Sequence, residues 1–152
     1  MMLMKSRFMK LEVIWKDDDM FELQISVDNG RYSGRTEVYD TKDSLLQFAK
    51  SLEGFPNGKE NLTHRCGEKD SYAYFEMKFY QIGLTEIVGL QISLEENVAT
   101  EYREEEKDKL KMELVVEPNA IDKFQKELIE LAKTEKGVAE VIGIEKHTNN
   151  IK

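Results

Sequence analysis

The amino-acid sequence predicts an α+β domain with a mainly antiparallel, twisted sheet of about six to eight strands and two amphipathic helices. Several segments alternate between apolar and polar residues, which is the period of a half-buried strand. Two other segments space their apolar residues three or four positions apart, which is the period of a helix with one buried face. Most connections are of hairpin length and no strand–helix–strand alternation occurs, which disfavours a parallel sheet. The order of the strands is left open.

Three strands are predicted first, over residues 11–15, 21–27 and 32–39. Leu11, Val13 and Trp15 form the apolar side of the first strand, because they alternate with polar neighbours. Apolar and polar residues alternate along the whole of the second strand. The residues after it, Asp28-Asn29-Gly30, tolerate the positive φ of a tight hairpin turn, so the third strand is expected to pair with the second.

The next segment predicts a helix, with residues typical of a helix start before it and residues typical of a helix end after it. Asp40 or Thr41 can accept a backbone N–H at its beginning, and Asp43 lies in the first turn, where the helix dipole favours an anion. Gly54 suits a left-handed residue at the end, and Pro56 forbids continuation of the helix. The predicted buried stripe consists of Leu45, Phe48, Ala49 and Leu52.

Four further strands are predicted from alternation. Their apolar sides are Leu62, His64 and Cys66; Ala73, Phe75, Met77 and Phe79; Val88, Leu90, Ile92 and Leu94; and Leu110, Met112, Leu114 and Val116. The polar segment 95–107 before the last of them is expected to be an exposed loop.

A second helix follows the last of these strands and begins at Pro118 or Asn119, since proline is well tolerated in a first helical turn. Its predicted stripe is Ile121, Phe124, Leu128 and Leu131, and Gly137 ends it. The apolar segment 138–144 either adds a short strand or packs across the core.

All these elements are expected to form one domain over residues 1–152, with frayed tails at residues 1–8 and 145–152. The first helix is also compatible with a link between two halves of a sandwich.

Composition restricts the function. The chain has 22 Lys and Arg residues against 30 Asp and Glu residues, so its formal net charge is -8, and it repels phosphate backbones. No apolar segment approaches the roughly 20 residues needed to cross a bilayer. Lys10, Glu12 and Lys16 interrupt any secretion signal, and the single cysteine, Cys66, excludes an internal disulfide. We therefore expect a cytoplasmic protein that binds neither nucleic acid nor membrane.

The candidate catalytic and metal-binding residues do not match any complete catalytic, metal or phosphate motif in the sequence. His64 and Cys66 share one side of a strand, but such positions are about 7 Å apart, and a catalytic pair also needs a group that orients the histidine. With His147 they do not complete a zinc set. Residues 17–19 lack the glycine and glutamate of a calcium loop, and the glycines of residues 28–35 lie in a hairpin rather than a phosphate loop. The sequence predicts no catalytic residue, metal or cofactor.

The candidate binding residues lie on outward faces of strands and in the polar loop. They are Arg31, Arg35 and Tyr39 on the third strand, Tyr72, Tyr74 and Tyr80 on a later strand, and Glu104, Glu105 and Glu106 in the loop. Tyrosine and arginine are enriched at protein interfaces. If the two strands are neighbours, their side chains form one aromatic and basic patch. If the helices cover this face, the tyrosines form the edge of the core.

Parts of the chain resemble a group of small bacterial proteins of unknown function. The resemblance is carried by Gly30-Arg31-Tyr32-Ser33-Gly34, by the helix end Leu52-Glu53-Gly54-Phe55-Pro56 and by the later helix start Ala120-Ile121-Asp122-Lys123-Phe124, and it spans about residues 21–132. The order of strands, helix, strands and helix is also similar to the WapI-like immunity proteins, which protect bacteria from polymorphic toxins. This resemblance implies a binding role and brings no catalytic residue.

We therefore expect a non-enzymatic cytoplasmic protein that binds and masks a basic protein partner, as an immunity protein does. Attraction between opposite charges would speed the association. Two alternatives stay open. One is a small-molecule-binding domain, with a pocket lined by Tyr72, Tyr74 and Arg35 on a sheet face. The other is a homo-oligomeric structural protein, such as a homodimer that pairs edge strands across a two-fold axis.

Overall fold

The computed structural model describes residues 7–58, 60–68, 72–97 and 105–145. Within them the chain forms eight strands and two helices. In order these are β1 (Phe8–Lys16), β2 (Phe21–Asp28), β3 (Ser33–Asp40), α1 (Lys42–Ser51), β4 (Leu62–Gly67), β5 (Ala73–Gln81), β6 (Val88–Asn97), β7 (Lys107–Val116), α2 (Pro118–Thr134) and β8 (Val138–Ile142). The predicted α+β class is confirmed.

The strands form two separate antiparallel sheets of four strands each. The first sheet has the order β3-β2-β1-β8, and the second has the order β4-β5-β6-β7. Helix α1 connects the last hairpin strand of the first sheet to the first strand of the second sheet. It therefore links two halves, which is the alternative that the sequence left open. After α2 the chain returns to the first sheet, where β8 pairs with β1.

Both sheets and both helices bury their apolar sides in one core. An aromatic cluster ties the second sheet to the helical layer. The ring centroid of Phe79 on β5 lies 6.1 Å from Phe48 of α1, 6.3 Å from Phe55 and 6.2 Å from Phe124 of α2. The helices also contact each other directly, since the Gln125 side chain donates a hydrogen bond of 3.0 Å to the Ala49 carbonyl.

Strand β3 packs against the second sheet. The Thr36 hydroxyl lies 2.7 Å from Glu96 Oε1 and 3.2 Å from the Glu95 carbonyl oxygen of β6. Gly34 permits the close approach, because a Cβ at that position would lie 2.7 Å from the Leu110 side chain of β7. Just past β8, the Ile144 N–H donates a hydrogen bond of 2.7 Å to the Val115 carbonyl of β7. The two sheets thus contact each other through β3 and through the segment just past β8.

Three sequence predictions need correction. The segment 95–107 was expected to be an exposed loop, but β6 continues through Asn97, and Glu95 and Asn97 are buried. A β-bulge between Val13 and Trp15 turns Trp15 to the outer face, where it is 47% exposed, although the alternation predicted it on the apolar side. An extra residue in one strand makes the side chains after it point to the opposite faces of the sheet.

The predicted N-terminal tail is shorter than expected. Phe8 was expected in a frayed tail but begins β1 and pairs with Asp28 and Ile142. Residues 1–6 and 146–152 of the predicted tails lie outside the described residues.

The helix boundaries follow local chemistry. The Thr41 side chain accepts the Ser44 N–H at 3.2 Å, so Thr41 rather than Asp40 is the N-cap of α1. Helix α2 begins at Pro118 and ends before Glu135, which is left-handed and precedes the predicted Gly137. Neither of these two helices, the ones in the described part of the chain, is long and apolar enough to span a membrane.

Replacing Phe79 should destabilise the fold strongly, since it contacts both the helical layer and the segment after α1. We expect Phe79→Ala to lower the free energy of unfolding by about 3–5 kcal/mol, and Phe79→Leu by less, because leucine fills more of the cavity. Urea unfolding followed by far-ultraviolet circular dichroism measures both changes. Leu84→Ala is the matched control, because Leu84 is fully exposed and should matter little. Equal effects at residues 79 and 84 would contradict the role of the aromatic cluster.

Candidate functional site

The outer face of the first sheet carries exposed aromatic side chains. The strand register places Trp15, Glu22 and Tyr39 in one row across β1, β2 and β3. Trp15 is 47% exposed and Tyr39 is 54% exposed. Their rings meet edge to face, with centroids 6.1 Å apart and an interplanar angle of 86°. The helices bury their apolar stripes in the common core, which lies on the other side of this sheet.

Carboxylates share the sheet face of the aromatic pair and the turn next to it. Glu37 lies on the same face of β3 as Tyr39, and the turn after Trp15 contains the exposed residues 17–19. The backbone N–H groups of Asp19 and Met20 donate to Asp17 Oδ1 at 2.8 and 2.9 Å and lower the pKa of that carboxyl. We call Trp15, Tyr39, Glu22, Glu37 and residues 17–19 the aromatic–acidic patch. The cations nearby include Lys16, Arg65, which lines one pocket together with Tyr39, and Arg35, which lies 3.7 Å from Glu37.

The predicted binding residues divide between the two sheets. Arg35 and Tyr39 point outward from β3, and Arg31 is exposed in the turn before it. Tyr74 and Tyr80 lie on β5, which belongs to the other sheet. The structure therefore does not bring the two groups onto one sheet face. Alternation along a strand determines which side a residue faces but not which sheet the strand joins.

The tyrosines of the second sheet are bound by carboxylates of the same sheet. Tyr74 is only 2% exposed and donates its hydroxyl hydrogen to Glu76 at 2.9 Å. Tyr80 donates to Glu113 of β7 at 2.7 Å. Tyr72, just before β5, is 69% exposed. Two of the three tyrosines thus have their polar groups satisfied within the sheet.

The acidic residues of the loop before β7 are described in part. Glu105 is exposed and Glu106 is half-buried, whereas Glu104 lies outside the described residues. The structure places neither of the described residues in the aromatic–acidic patch.

Arg35 lines a pocket of about 250 Å³ between β3 and the ends of β6 and β7. Neither Tyr72 nor Tyr74 lines this pocket. The arrangement anticipated for a small-molecule site, with both tyrosines and Arg35 around one ligand, is therefore not formed by this pocket.

A buried polar cluster, which the sequence showed only in part, lies where β3 meets β4. His64 Nε2 lies 2.7 Å from Asp40 Oδ2, and the Cys66 thiol donates to the same oxygen at 3.4 Å. All three side chains are less than one-tenth exposed. We call Asp40, His64 and Cys66 the Asp–His–Cys cluster. The sequence predicts Asp40 only as a helix cap, although Asp40 continues the inward side of β3 after Thr36 and Val38.

The cluster is held by its surroundings. The second carboxylate oxygen of Asp40, Oδ1, accepts the Thr41 N–H at 2.7 Å. The Phe48 ring lies against the His64 imidazole, with centroids 5.1 Å apart. Burial, followed by the negative charge of Asp40 and its hydrogen bond to the thiol, raises the pKa of Cys66 well above its usual value.

The cluster is not arranged for nucleophilic catalysis by cysteine. Such catalysis needs a thiolate next to a histidine that removes its proton. Here Asp40 stands between Cys66 and His64, and it favours the protonated thiol.

A surface pocket opens next to the cluster. It has a volume of about 310 Å³ and is lined by Met20, Tyr39, Asp40, Thr41, Ser44, Arg65, Cys66 and Gly67. We call it the β3–β4 pocket. Tyr39 belongs to both this pocket and the aromatic–acidic patch, so the two candidate sites are neighbours.

No protein-family model, curated protein or solved structure matches the chain. The resemblance to bacterial immunity proteins therefore stays a prediction, and the geometry of the patch and the cluster is the basis for the function.

The Tyr80–Glu113 pair should make stability depend on alkaline pH. The hydrogen bond to Glu113, with partial burial and the carboxylate charge, raises the pKa of Tyr80 from 10.0 to about 12. A folded-state pKa above the unfolded value stabilises the protein below pH 10, and this contribution is lost as the pH rises from about 10 to about 12. Tyr80→Phe should remove that part of the decrease.

The measurement is urea unfolding at pH 8 and pH 11 for the wild type, Tyr80→Phe and Glu113→Gln. Glu113→Gln should lower the pKa of the Tyr80 phenol toward 10, because the carboxylate charge is removed, and phenolate absorbance follows that ionisation. Tyr72→Phe is the control, since Tyr72 is largely exposed. Indistinguishable phenolate titrations of the wild type and Glu113→Gln would contradict the assignment.

Proposed function

We propose that this protein is a non-enzymatic cytoplasmic binding protein that masks a basic protein partner, as immunity proteins do. The aromatic–acidic patch is the proposed contact surface. The observation that carries the proposal is the exposed edge-to-face pair of Trp15 and Tyr39 among carboxylates on the outer face of the first sheet.

The aromatic pair has the properties of an interface anchor. Tryptophan and tyrosine dominate the energetic centres of protein interfaces, because each buries a large area and has few rotatable bonds. Both side chains lie in one row across paired strands rather than on a loop, so little conformational freedom is lost when a partner covers them. The ring faces can also bind lysine or arginine side chains of a partner.

The charge of the patch selects for a basic partner. The patch contains five carboxylates, and the cations nearby are fewer and include Lys16, Arg35 and Arg65; the carboxylates are Asp17, Asp18, Asp19, Glu22 and Glu37. The net charge of the whole chain, -8, extends this attraction beyond direct contact. Complementary charge increases the association rate and excludes acidic proteins.

The same charge disfavours a homodimer built on this patch. In a two-fold symmetric contact each patch meets its own copy, so carboxylates would face carboxylates. Like charges placed opposite each other are unfavourable. The patch therefore fits a basic partner better than a second copy of the chain.

Binding should depend on Trp15, which is the single tryptophan of the chain. The tagged protein is used to capture proteins from lysate of the source cell at about 0.05 M and about 0.5 M salt, since screening differs strongly between them. A captured basic protein is then purified and titrated. Its binding should shift tryptophan emission to shorter wavelength, because the half-exposed indole leaves water.

The variants locate the contact. Trp15→Ala and Tyr39→Ala should each weaken binding more than tenfold, in the range of interface hot spots. Glu22→Gln combined with Glu37→Gln should slow association and reduce its salt dependence. Tyr72→Ala is the matched control, since Tyr72 is an exposed tyrosine outside the patch. Capture that is unchanged by Trp15→Ala, or that yields no basic protein, would refute the proposal.

A further inference from the structure

We propose that Asp40, His64 and Cys66 form a binding site for a divalent transition-metal ion, with zinc as the best match. The side chains meet from two strands, since Asp40 ends β3 while His64 and Cys66 lie on β4. A carboxylate oxygen, an imidazole nitrogen and the thiol sulfur all lie within 4.8 Å of one another. This site is separate from the proposed function and does not depend on it.

Three potential metal ligands converge in an otherwise apolar part of the core. The three residues occupy positions whose strand neighbours, such as Val38 and Phe75, belong to the apolar core. Buried polar groups are unfavourable unless they are hydrogen-bonded, and buried charges are typically paired or coordinate metals. Here one carboxylate oxygen is shared by two partners, Nε2 of His64 and Sγ of Cys66. Such convergence of donor atoms at one point is what a metal ion requires.

The donor types identify the class of ion. Cysteine sulfur, histidine nitrogen and aspartate oxygen are the ligands that zinc uses in proteins. With the usual bond lengths, the ligand atoms of a tetrahedral site lie roughly 3.3–3.6 Å apart. Sγ of Cys66 and Oδ2 of Asp40 are 3.4 Å apart, and Nε2 of His64 is 2.7 Å from that oxygen. To admit the ion, the nitrogen and oxygen must move apart by roughly 0.6–0.9 Å, and Nε2 and Sγ, which lie within 4.8 Å of each other, must reach the same range.

The surroundings already orient the ligands. The Thr41 N–H holds Oδ1 of Asp40, so that Oδ2 is directed toward His64 and Cys66. The Phe48 ring packs against the imidazole and limits its rotation. Contacts of this kind outside the ligand set are a regular part of metal sites in proteins.

The β3–β4 pocket supplies the remaining coordination position. Asp40 and Cys66 both line this pocket, and its volume of about 310 Å³ holds several waters. Three protein ligands with a fourth position open to water or another ligand atom is a known zinc arrangement. The sequence alone does not predict this site, because its cysteine and histidines are too few for a zinc set and only the fold brings Asp40 next to them.

The test uses Co²⁺ and Zn²⁺ alone as probes, with the untagged full chain. The protein is unfolded in urea with a chelator, then refolded with either ion, so that access to a buried site cannot limit loading. Because the chain has one cysteine, a sulfur-to-cobalt charge-transfer band can arise only from Cys66. We expect one equivalent of Co²⁺, this band, its loss when Zn²⁺ displaces cobalt, and a raised melting temperature.

The variants separate this site from adventitious binding. Cys66→Ala should abolish the band, and His64→Gln should weaken Co²⁺ binding at least tenfold. His147→Ala is the control for the other histidine of the chain and should bind as the wild type does. The proposal is overturned if the refolded protein shows no charge-transfer band, or if stoichiometric binding survives Cys66→Ala. Neither result bears on the Trp15 contact, so failure of one proposal is distinguishable from failure of the other.

Discussion

The contact of Phe79 with both helices is the interaction on which the rest of the structure depends. Helix α1 is the link between the two sheets, and Phe48 of that helix contacts both Phe79 and His64. Because Phe48 packs against the second sheet, the start of α1 is held close to that sheet. That position brings Asp40, two residues before α1, to within hydrogen-bond distance of β4.

The end of β3 serves both proposed sites because successive residues of a strand face opposite ways. Tyr39 points outward to Trp15, and Asp40 points inward to His64 and Cys66. The β3–β4 pocket reaches both residues. A partner that covers Tyr39 would thus lie beside the entrance to the cluster, although each site rests on its own chemistry.

The two sheets differ in what their outer faces leave available. On the second sheet, Tyr74 and Tyr80 donate their hydroxyl hydrogens to carboxylates of the same sheet, so these tyrosines contribute to its internal structure. On the first sheet, Trp15 and Tyr39 contact each other and are each about half exposed. Residue type alone does not distinguish these aromatic side chains from one another. Their partners across the strands distinguish an internal role from a binding role.

The sequence by itself determined the α+β class, the inward side of nearly every strand and the limits of α1, because alternation and capping depend on residues close together in the chain. It did not determine the two-sheet order, the outward turn of Trp15 or the meeting of Asp40 with His64. Strand pairing and bulges depend on partners far away in the chain, and Asp40 and His64 are 24 residues apart. Only the tertiary structure decided which polar residues became neighbours, since burial in a shared core brings them together.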